Sequence, residues 1–453
     1  MSLFRPSSAG ESRFRAHARR ILLLGGPLTI NNVAIAGMGF TDTVMAGRLG
    51  ASALAAVAIG HAFWMFFYMC GLGILMALSP MVAHAYGAGE NEKVGVLARQ
   101  ALWLAVLLAL ALLLGMLFVH PILLYIGIEP DIARVASGFV HAICFGVPAI
   151  LTFLALRFVS EGIGWTRPIM YTAILGMGVN VIGCYVFMYG KLGFPALGAA
   201  GTGVSNALVM WVMLITMFFY VRRRRVYRPF GLFARFDRPD PKKLREILGL
   251  GVPIAGSVLS EGGLFVVAAL MMGAMGATIV AAHQIAINYA ALMFMVPLSL
   301  HSATTIHVGH SLGRRNAVEA RFAGYTGIAL CGLFMTASAV AILFFGEQIA
   351  AFYTQDPDVR TLAASLLLMA AIFQISDGLQ VGGAGALRGF KDVRVPMLLS
   401  VFSYWGIGFP LAYGFGVARG LGPVYVWVGL IAGLTVAAVL LNVRYAVISR
   451  RRV

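Results

Sequence analysis

Charged residues are scarce in this chain: Asp, Glu, Lys and Arg make up 11% of its 453 residues, whereas 60% are hydrophobic. A soluble globular domain carries roughly 25% charged residues. The scarcity therefore excludes a water-soluble protein built around one buried core. Acidic residues are the scarcer of the two charge types. The chain has 17 Asp and Glu and 34 Lys and Arg, which gives a net charge of +17.

Cysteine is also rare, and the sequence lacks the residue spacings that metal sites and nucleotide-binding sites require. The four cysteines lie inside apolar runs without metal-ligand spacing, at Cys70, Cys144, Cys184 and Cys331. We interpret them as small buried side chains and expect neither disulfides nor a transition-metal site. His84, His307 and His310 have no Cys or carboxylate at ligand spacing, and no phosphate loop follows a strand. ATP-driven or covalent chemistry is thus disfavoured, and no cofactor is expected.

What the chain has in abundance is apolar runs of about 20 residues, the length that crosses a bilayer as a helix. Twelve such helices are predicted, over residues 20–47, 53–79, 94–119, 136–160, 168–189, 200–221, 246–272, 278–305, 318–345, 361–386, 396–416 and 424–446. A run of basic residues, Arg222–Arg225, opens the polar stretch between the sixth and the seventh. The sequence therefore predicts an all-α integral membrane protein.

The basic residues predict its orientation. With the N-terminus in the cytoplasm, 29 of the 34 Lys and Arg fall in cytoplasmic segments and adjoining helix ends, as the positive-inside rule requires. The five on the other side are Arg48, Arg134, Lys191, Arg360 and Arg419. Both termini are then cytoplasmic, and the basic charge indicates contact with anionic lipids instead of nucleic acid.

An internal repeat at an offset of 226 residues divides the chain into two halves. It pairs Pro27 with Pro253, Gly47 with Gly273, Gly50 with Gly276, His84 with His310 and Gly87 with Gly313. Because each half holds six spans, we expect two six-helix bundles related by a pseudo-twofold axis along the membrane normal. The predicted segments are a cytoplasmic tail (1–19), an N-terminal lobe (20–221), a basic linker (222–245), a C-terminal lobe (246–446) and a second tail (447–453). The first span resembles a signal peptide, but its counterpart in the second half indicates that it is retained.

Three carboxylates, Asp42, Glu261 and Asp377, lie within otherwise apolar spans. A charge near the middle of a bilayer costs at least ~2.5–3.5 kcal/mol on insertion scales, so such residues normally face a cavity or a partner. Glu261 lies 15 residues from Gly276, and Asp377 lies 11 residues before Arg388, so both are deep. These acids are the first candidates for binding a proton, a metal cation or an organic cation. For Asp42, an ion pair with Arg48 is the open alternative.

Four stretches of the sequence resemble the multidrug and toxic compound extrusion (MATE) family, in its NorM-like branch. They are residues 41–51 (TDTVMAGRLGA), 80–89 (PMVAHAYGAG), 281–299 and 377–389. The resemblance covers nearly the whole chain and implies an antiporter of the bacterial inner membrane. Such an antiporter expels organic, often cationic, drugs in exchange for sodium ions, protons or both, by alternating access. It implies small amphiphilic drugs and membrane lipids as partners, no nucleic acid and no obligate protein partner, so a monomer is expected.

The resemblance also implies roles for residues of the second half. Glu261 and Asp377 match the cation site, which is the expected place for proton coupling or sodium. Phe265 lies one turn after Glu261, where it can stack on an organic cation or simply pack. Gln284 and Asn288, at i and i+4, match the family's motif as cavity contacts, with helix–helix hydrogen bonding as the alternative. Asp356 matches a position that touches substrate, and an ordinary solvated turn is equally compatible with its surroundings.

In the first half, the resemblance places Asp42 in a cavity that takes up protons or substrate. Asn180 and Thr202 match a polar network around it, and Cys184 shares the helical face of Asn180. Cys184 departs from the family, in which Asp or Asn is usual at this position. Because a thiol is a poor ligand for a hard cation, sodium binding in this half is doubtful, whereas proton coupling through Asp42 is unaffected.

Two other functions remain open at this point. A flippase for lipid-linked oligosaccharides, from the related superfamily, would line its cavity with cations instead of carboxylates. An integral-membrane enzyme acting on lipids would carry its catalytic groups at the cytoplasmic interface. Glu161 lies near Arg157 and Arg167 at such an end, and we interpret it as an ion-pair partner.

Overall fold

The computed structural model describes residues 12–451, which are helical with short connections. The helices are α1 Arg13–Gly47, α2 Ala51–Leu75, α3 Leu78–Gly87, α4 Asn91–Met116, α5 Val119–Tyr125, α6 Pro130–Cys144, α7 Val147–Gly162, α8 Arg167–Tyr189, α9 Ala199–Arg223, α10 Pro241–Met275, α11 Ala277–Gly313, α12 Ala317–Tyr353, α13 Pro357–Gly389, α14 Arg394–Val401, α15 Phe409–Leu411 and α16 Pro423–Arg451. Phe402–Gly408 and Ala412–Ala418 are π-helical and make one span with α14 and α15.

The predicted all-α membrane fold is confirmed. Eleven spans are long and apolar enough to cross a bilayer, and the bent pair α6 and α7 brings the number to twelve among the described residues. The fourth span, predicted as one helix, is broken by 51° between α6 and α7. Pro148 explains the break, because its ring clashes with the carbonyl four residues earlier, at Cys144, where α6 ends. Pro80 lies in the same way four residues after Met76, the C-cap of α2, but there α2 and α3 continue as one span, Ala53–Gly87.

Several helices extend beyond the predicted spans. α1 begins at Arg13 and α16 ends at Arg451, so residues 13–19 of the first predicted tail and residues 447–451 of the second are helical. Residues 1–11 and 452–453 of those tails lie outside the described residues. The predicted linker contains a 3-10 turn over Arg225–Phe230 and the start of α10.

The basic linker is fastened to α4. Arg99 donates to the carboxylate of Asp237 at 2.5 Å, and Trp103 Nε1 donates to the Asp237 carbonyl at 2.8 Å. Gln100 Oε1 accepts from the backbone N–H of Asp240 at 2.8 Å. In the turn itself, Tyr227 is buried and burial raises its pKa. The stretch is therefore an ordered part of the fold.

The chain forms two compact units. The C-terminal unit contains the residues up to Thr29 together with Gly256–Val453, and the N-terminal unit is Ile30–Ala255. Both boundaries fall inside the first helix of a half, two residues after Pro27 in α1 and two residues after Pro253 in α10. Each of these two helices therefore contributes its first turns to one unit and the rest to the other.

The internal repeat is visible in how those first turns pack. In the C-terminal unit, a methyl carbon on Gly25 would lie 3.4 Å from Leu300 Cδ2 of α11. In the N-terminal unit, a methyl carbon on Gly251 would lie 2.4 Å from the carbonyl oxygen of Ile74 in α2. The offset of 226 maps Gly25 onto Gly251 and Leu300 onto Ile74. The same close helix crossing thus occurs once in each unit.

Large apolar side chains on the outer helix faces suit a bilayer. Leu343, Phe344 and Phe345 of α12 are all exposed. A contiguous apolar surface of this kind is rare on a soluble monomer but is the normal lipid-facing surface of a membrane helix. The backbone polar groups of these residues are satisfied within the helix, as hydrocarbon requires.

The close crossing at Gly251 generates a prediction. Gly251→Leu places side-chain atoms against the rigid backbone of Ile74, so α10 and α2 must separate. Overpacking of this kind costs about 1–3 kcal/mol. We expect a lower midpoint of thermal unfolding, measured on purified protein by fluorescence-detected size exclusion. Gly26→Leu is the control, because a methyl carbon there meets nothing within 4 Å. Equal midpoints for the two variants would contradict the proposed packing.

Candidate cation and substrate sites

Asp42 lies at the centre of a polar cluster in the N-terminal unit. Its Oδ1 accepts from Asn180 Nδ2 at 3.0 Å and from the Cys184 thiol at 3.2 Å. Its Oδ2 accepts from Asn206 Nδ2 at 2.8 Å. The carboxylate is buried, and none of the ion pairs within residues 12–451 joins it to Arg48. The alternative of an interfacial pair with Arg48 is therefore not what the structure contains.

Small residues bring the donors to Asp42. A methyl carbon on Gly183 would lie 2.4 Å from Ser205 Oγ, so α8 and α9 approach closely. Ser205 Oγ donates to the Asn180 carbonyl at 3.2 Å and fixes the two helices against each other. Thr202, one turn before Asn206 on α9, is fully buried, and its hydroxyl finds no partner in the described part of the chain. Its place in the network remains a prediction.

Two members of this cluster were not predicted. Asn206 is the third donor, and the signal that could have found it is its i+4 spacing from Thr202. His61, ten residues into α2, is close enough for its charge to act on Asp42. An ionisable side chain at that depth is by itself a reason to expect function.

The donor set decides what the Asp42 site can bind. Three neutral donors hold the carboxylate in one orientation and leave it without a cationic side chain in direct contact. A thiol offers a soft sulfur, which suits a hard cation such as sodium poorly. The cluster therefore fits a proton or an organic cation better than a sodium ion.

Glu261 and Asp377 lie together in the C-terminal unit. Glu261 is on α10 and Asp377 is on α13, and their charges interact. Asp377 is buried, and no described residue gives its Oδ1 a hydrogen bond. Arg388 supplies a positive charge near Glu261. The two acids are thus near enough for their charges to interact, and neighbouring carboxylates favour a bridging cation or a shared proton. Their role as a cation site remains a prediction.

A π-helical segment shapes this acid pair. Trp405, within Phe402–Gly408, donates its Nε1 to the carbonyl of Ser260, the residue before Glu261, at 3.2 Å. Tyr404 in the same segment is buried and lies within range of both acid charges. π-helical turns occur often at functional sites because they redirect side chains locally. No periodicity in the sequence predicts this π-helical turn.

Gln374 is a further polar group beside the pair. It lies one turn before Asp377 on α13, is fully buried, and neither of its amide atoms meets a partner among residues 12–451. Carboxylate and amide oxygens are ligands that hard cations prefer. The site therefore offers oxygen ligands for a sodium ion and, equally, two carboxylates that can share a proton.

Two aromatic residues, Phe265 and Phe373, each lie one helical turn from an acid and belong to a series of ring contacts. Phe265 meets Phe373 edge-on at 5.8 Å between centroids, Phe373 meets Trp427 at 5.7 Å, and Trp427 meets His283 at 5.7 Å. Phe265 also packs against the core of the unit. The structure therefore gives Phe265 a packing contact, and its stacking on an organic cation remains a prediction.

The remaining predicted residues lie elsewhere. Gln284 and Asn288 are exposed on one face of α11. Asp356 caps α13, because its Oδ1 accepts from the backbone N–H groups of Asp358 and Val359 at 3.0 and 3.4 Å. This capping role agrees with the alternative expectation for Asp356, an ordinary solvated turn. Their contacts with substrate remain predictions.

Two structural expectations have clear outcomes. Arg157 donates to Glu161 at 2.8 Å, which confirms Glu161 as an ion-pair partner. The four cysteines are free thiols. Over the described range, no group of three or more His, Cys, Asp or Glu side chains has the geometry to hold a metal ion.

Comparison with known proteins identifies the family. The profile of the MatE family matches residues 27–186 and 253–414, two segments that begin one repeat length apart. The chain is 43% identical over 452 residues to "Probable multidrug resistance protein NorM" of Xanthomonas campestris pv. campestris, covering 100% of this chain and 98% of that protein. It is 40% identical over 444 residues to "Multidrug resistance protein PmpM" of Pseudomonas aeruginosa, covering 97% of this chain and 93% of that one.

Solved structures share the fold. A multidrug resistance MATE family transporter in its outward-facing conformation superimposes with a TM-score of 0.88 at 21% identity, covering 99% of both chains. The eukaryotic MATE transporter AtDTX14 gives a TM-score of 0.86 at 19% identity, over 97% of this chain and 99% of that one. The repeated halves, the acids within them and these similarities agree: the chain belongs to the MatE family of membrane transporters.

Proposed function

We propose that this chain is a secondary active antiporter that exports organic, often cationic, drugs in exchange for protons, sodium ions or both, by alternating access. Its full-length similarity to proteins named for multidrug resistance supports drug export. The chain is a transporter and not an enzyme.

One observation carries the coupling mechanism: Asp377 and Glu261 are neighbouring acids deep in the C-terminal unit, and Asp377 Oδ1 lacks a hydrogen-bond donor in the described chain. A buried anion without a full set of donors is unfavourable until a cation or proton reaches it. An entering ion and a departing organic cation therefore compete for the same negative charge. That competition is the physical basis of exchange.

The alternatives lose support on the same observations. A flippase that recognises anionic headgroups needs a positively charged cavity, whereas the deep ionisable groups that converge here include two carboxylates. The lipid-modifying enzyme is excluded by the family. The chain works as a monomer in this proposal, with membrane lipids as its surroundings.

The first prediction concerns the deep acids. Asp377→Asn and Glu261→Gln keep the shape of each side chain but remove its charge, so we expect at least about a tenfold loss of drug export with normal membrane insertion. The measurement is uptake of a fluorescent cation into inverted vesicles, together with drug susceptibility of expressing cells. Glu347→Gln, an exposed acid on α12, is the control and retains export. Full activity in both deep variants would refute the assignment.

A second prediction concerns position 184. Cys184→Asp places a second carboxylate beside Asp42, and two unit charges about 4 Å apart repel by roughly 4 kcal/mol at an effective dielectric constant of 20. A sodium ion relieves that repulsion. We expect the thermal midpoint of Cys184→Asp to rise more in sodium chloride than in choline chloride, compared with the wild type. Cys184→Asn, uncharged and similar in size, shows no added sodium effect; an equal response of the two variants would argue against a cation site here.

The proposed orientation places both termini in the cytoplasm of a bacterium, with the protein in the inner membrane. Green fluorescent protein fused after Val453 should fluoresce, because it folds in the cytoplasm. Alkaline phosphatase inserted after Gln355, between α12 and α13, should be active, because it folds outside. The reverse pattern would invert the topology.

The coupling ion can be identified from the ion gradient that drives transport. Purified protein in liposomes, with either a sodium gradient or a pH gradient imposed, should accumulate the fluorescent cation under at least one of them. The gradient that drives accumulation identifies the coupling ion.

A further inference from the structure

A buried chain of ionisable side chains links α1, α11 and α12 in the C-terminal unit. His17 Nδ1 lies 2.8 Å from His307 Nε2, and His17 Nε2 lies 3.3 Å from Glu319 Oε2. Both rings are 3% exposed, whereas the Glu319 side chain is 38% exposed. Both nitrogens of His17 are therefore engaged, one by an imidazole and the other by a carboxylate that reaches solvent.

We propose that His307, His17 and Glu319 form a proton-exit relay between the interior of the C-terminal unit and the cytoplasm. The inference rests on the proposed antiport and names the path by which a coupling proton leaves. It assigns a function to three residues outside the carboxylate site.

The hydrogen bond between the two rings and the ion pair with Glu319 assign a donor and an acceptor to each step of the transfer. An ionised Glu319 only accepts, so neutral His17 carries its proton on Nε2 and accepts at Nδ1. His307 must then donate from Nε2, which leaves its Nδ1 as the position that receives an incoming proton. A proton arriving there displaces the Nε2 proton to His17, and His17 passes its own Nε2 proton to Glu319. Each ring ends neutral with its proton on Nδ1, and Glu319 releases its proton to water. Both rings must return to the Nε2–H tautomer before the next proton passes.

The relay lies beyond the acid pair in the direction of the end of the unit that contains the start of α1. His301 Nδ1 is hydrogen-bonded to the carbonyl of Val381 at 2.9 Å, one turn past Asp377 on α13. His307 is six residues further along α11, about 9 Å at the helical rise per residue. The buried imidazoles thus continue from the depth of Asp377 towards the end of the unit where α11 finishes.

The charges around the rings make a proton unstable there, so that it does not remain on either imidazole. Arg13 and Arg20 of α1 face the pair, as do His310 of α11 and Arg314 of the following turn. Among the groups that act on His17, Glu319 supplies the negative charge. Arg13 also rests on the Phe322 ring of α12 at 5.4 Å, so the first turns of α1 are held against α12. A proton on the rings is repelled from the arginines and attracted to one carboxylate.

The repeat shows that the relay belongs to one half only. The offset of 226 maps His17 onto Lys243, His307 onto Met81 and Glu319 onto Lys93. Taken together, Lys243, Met81 and Lys93 provide no series of acceptors and donors that could carry a proton at neutral pH. Lys243 is therefore a matched position for a control.

The test uses full-length protein in liposomes with a fluorescent organic cation. His17→Asn, His307→Asn and Glu319→Gln keep hydrogen-bonding groups but cannot pass a proton. We expect each to slow transport driven by a pH gradient at least about tenfold, the usual scale for losing a proton-transfer group. Substrate affinity and substrate-for-substrate exchange, which moves no net proton, should stay within about twofold of the wild type. Lys243→Asn should leave both rates unchanged.

Several results would contradict the proposed relay. Wild-type rates in all three variants would do so, as would an equal fall in driven transport and in exchange, which marks a purely structural role. Transport by the wild type under a sodium gradient, with none under a pH gradient, would refute the relay and leave drug export standing. A wild type that moves no organic cation under either gradient would refute the proposed antiport itself.

Discussion

The bilayer gives an ionised carboxylate almost nothing to interact with, and the organisation of this protein follows from how its buried acids are compensated. In the N-terminal unit the compensation is nearly complete, because two amides and a thiol donate to both oxygens of Asp42. In the C-terminal unit it is partial, because an oxygen of Asp377 lacks a donor in the described chain and Glu261 stands close by. The same chemical problem has two solutions in two repeats of one sequence.

In the proposed mechanism, this difference suits the two units to different work. A carboxylate held by three neutral donors keeps its orientation whether or not a ligand is bound, which suits recognition. A pair of acids beside Gln374, whose amide meets no partner among residues 12–451, changes its energy strongly with the charge that arrives, which suits coupling. The proposed His17–His307–Glu319 relay lies in the same C-terminal unit as this pair, and the repeat-related residues of the first half do not reproduce it. The two halves therefore share a scaffold and differ in the side chains that it carries.

Much of the fold was predictable because hydrophobic length, basic-residue placement and an offset repeat are properties of sequence alone. The break at Pro148 was also within reach, since a proline inside a span predicts a break four residues earlier. The π-helical turn at Tyr404 was not, because no periodicity in the sequence marks a single turn of this kind. Asp42, Glu261 and Asp377 stood out because charge is costly in lipid. Asn206, Gln374 and His17 did not, because an amide or an imidazole near a helix end becomes informative only when its neighbours are known.

The division of α1 and α10 between the units has a consequence for the two halves of the sequence. The turns before Pro27 pack in the unit formed by the second half, and the turns before Pro253 pack in the unit formed by the first. The glycine-lined crossing at the start of each half is therefore completed by a helix that the other half supplies, α11 for Gly25 and α2 for Gly251. Separation of the two halves would remove that contact from both, so each half depends on the other's sequence to bury its own first turns.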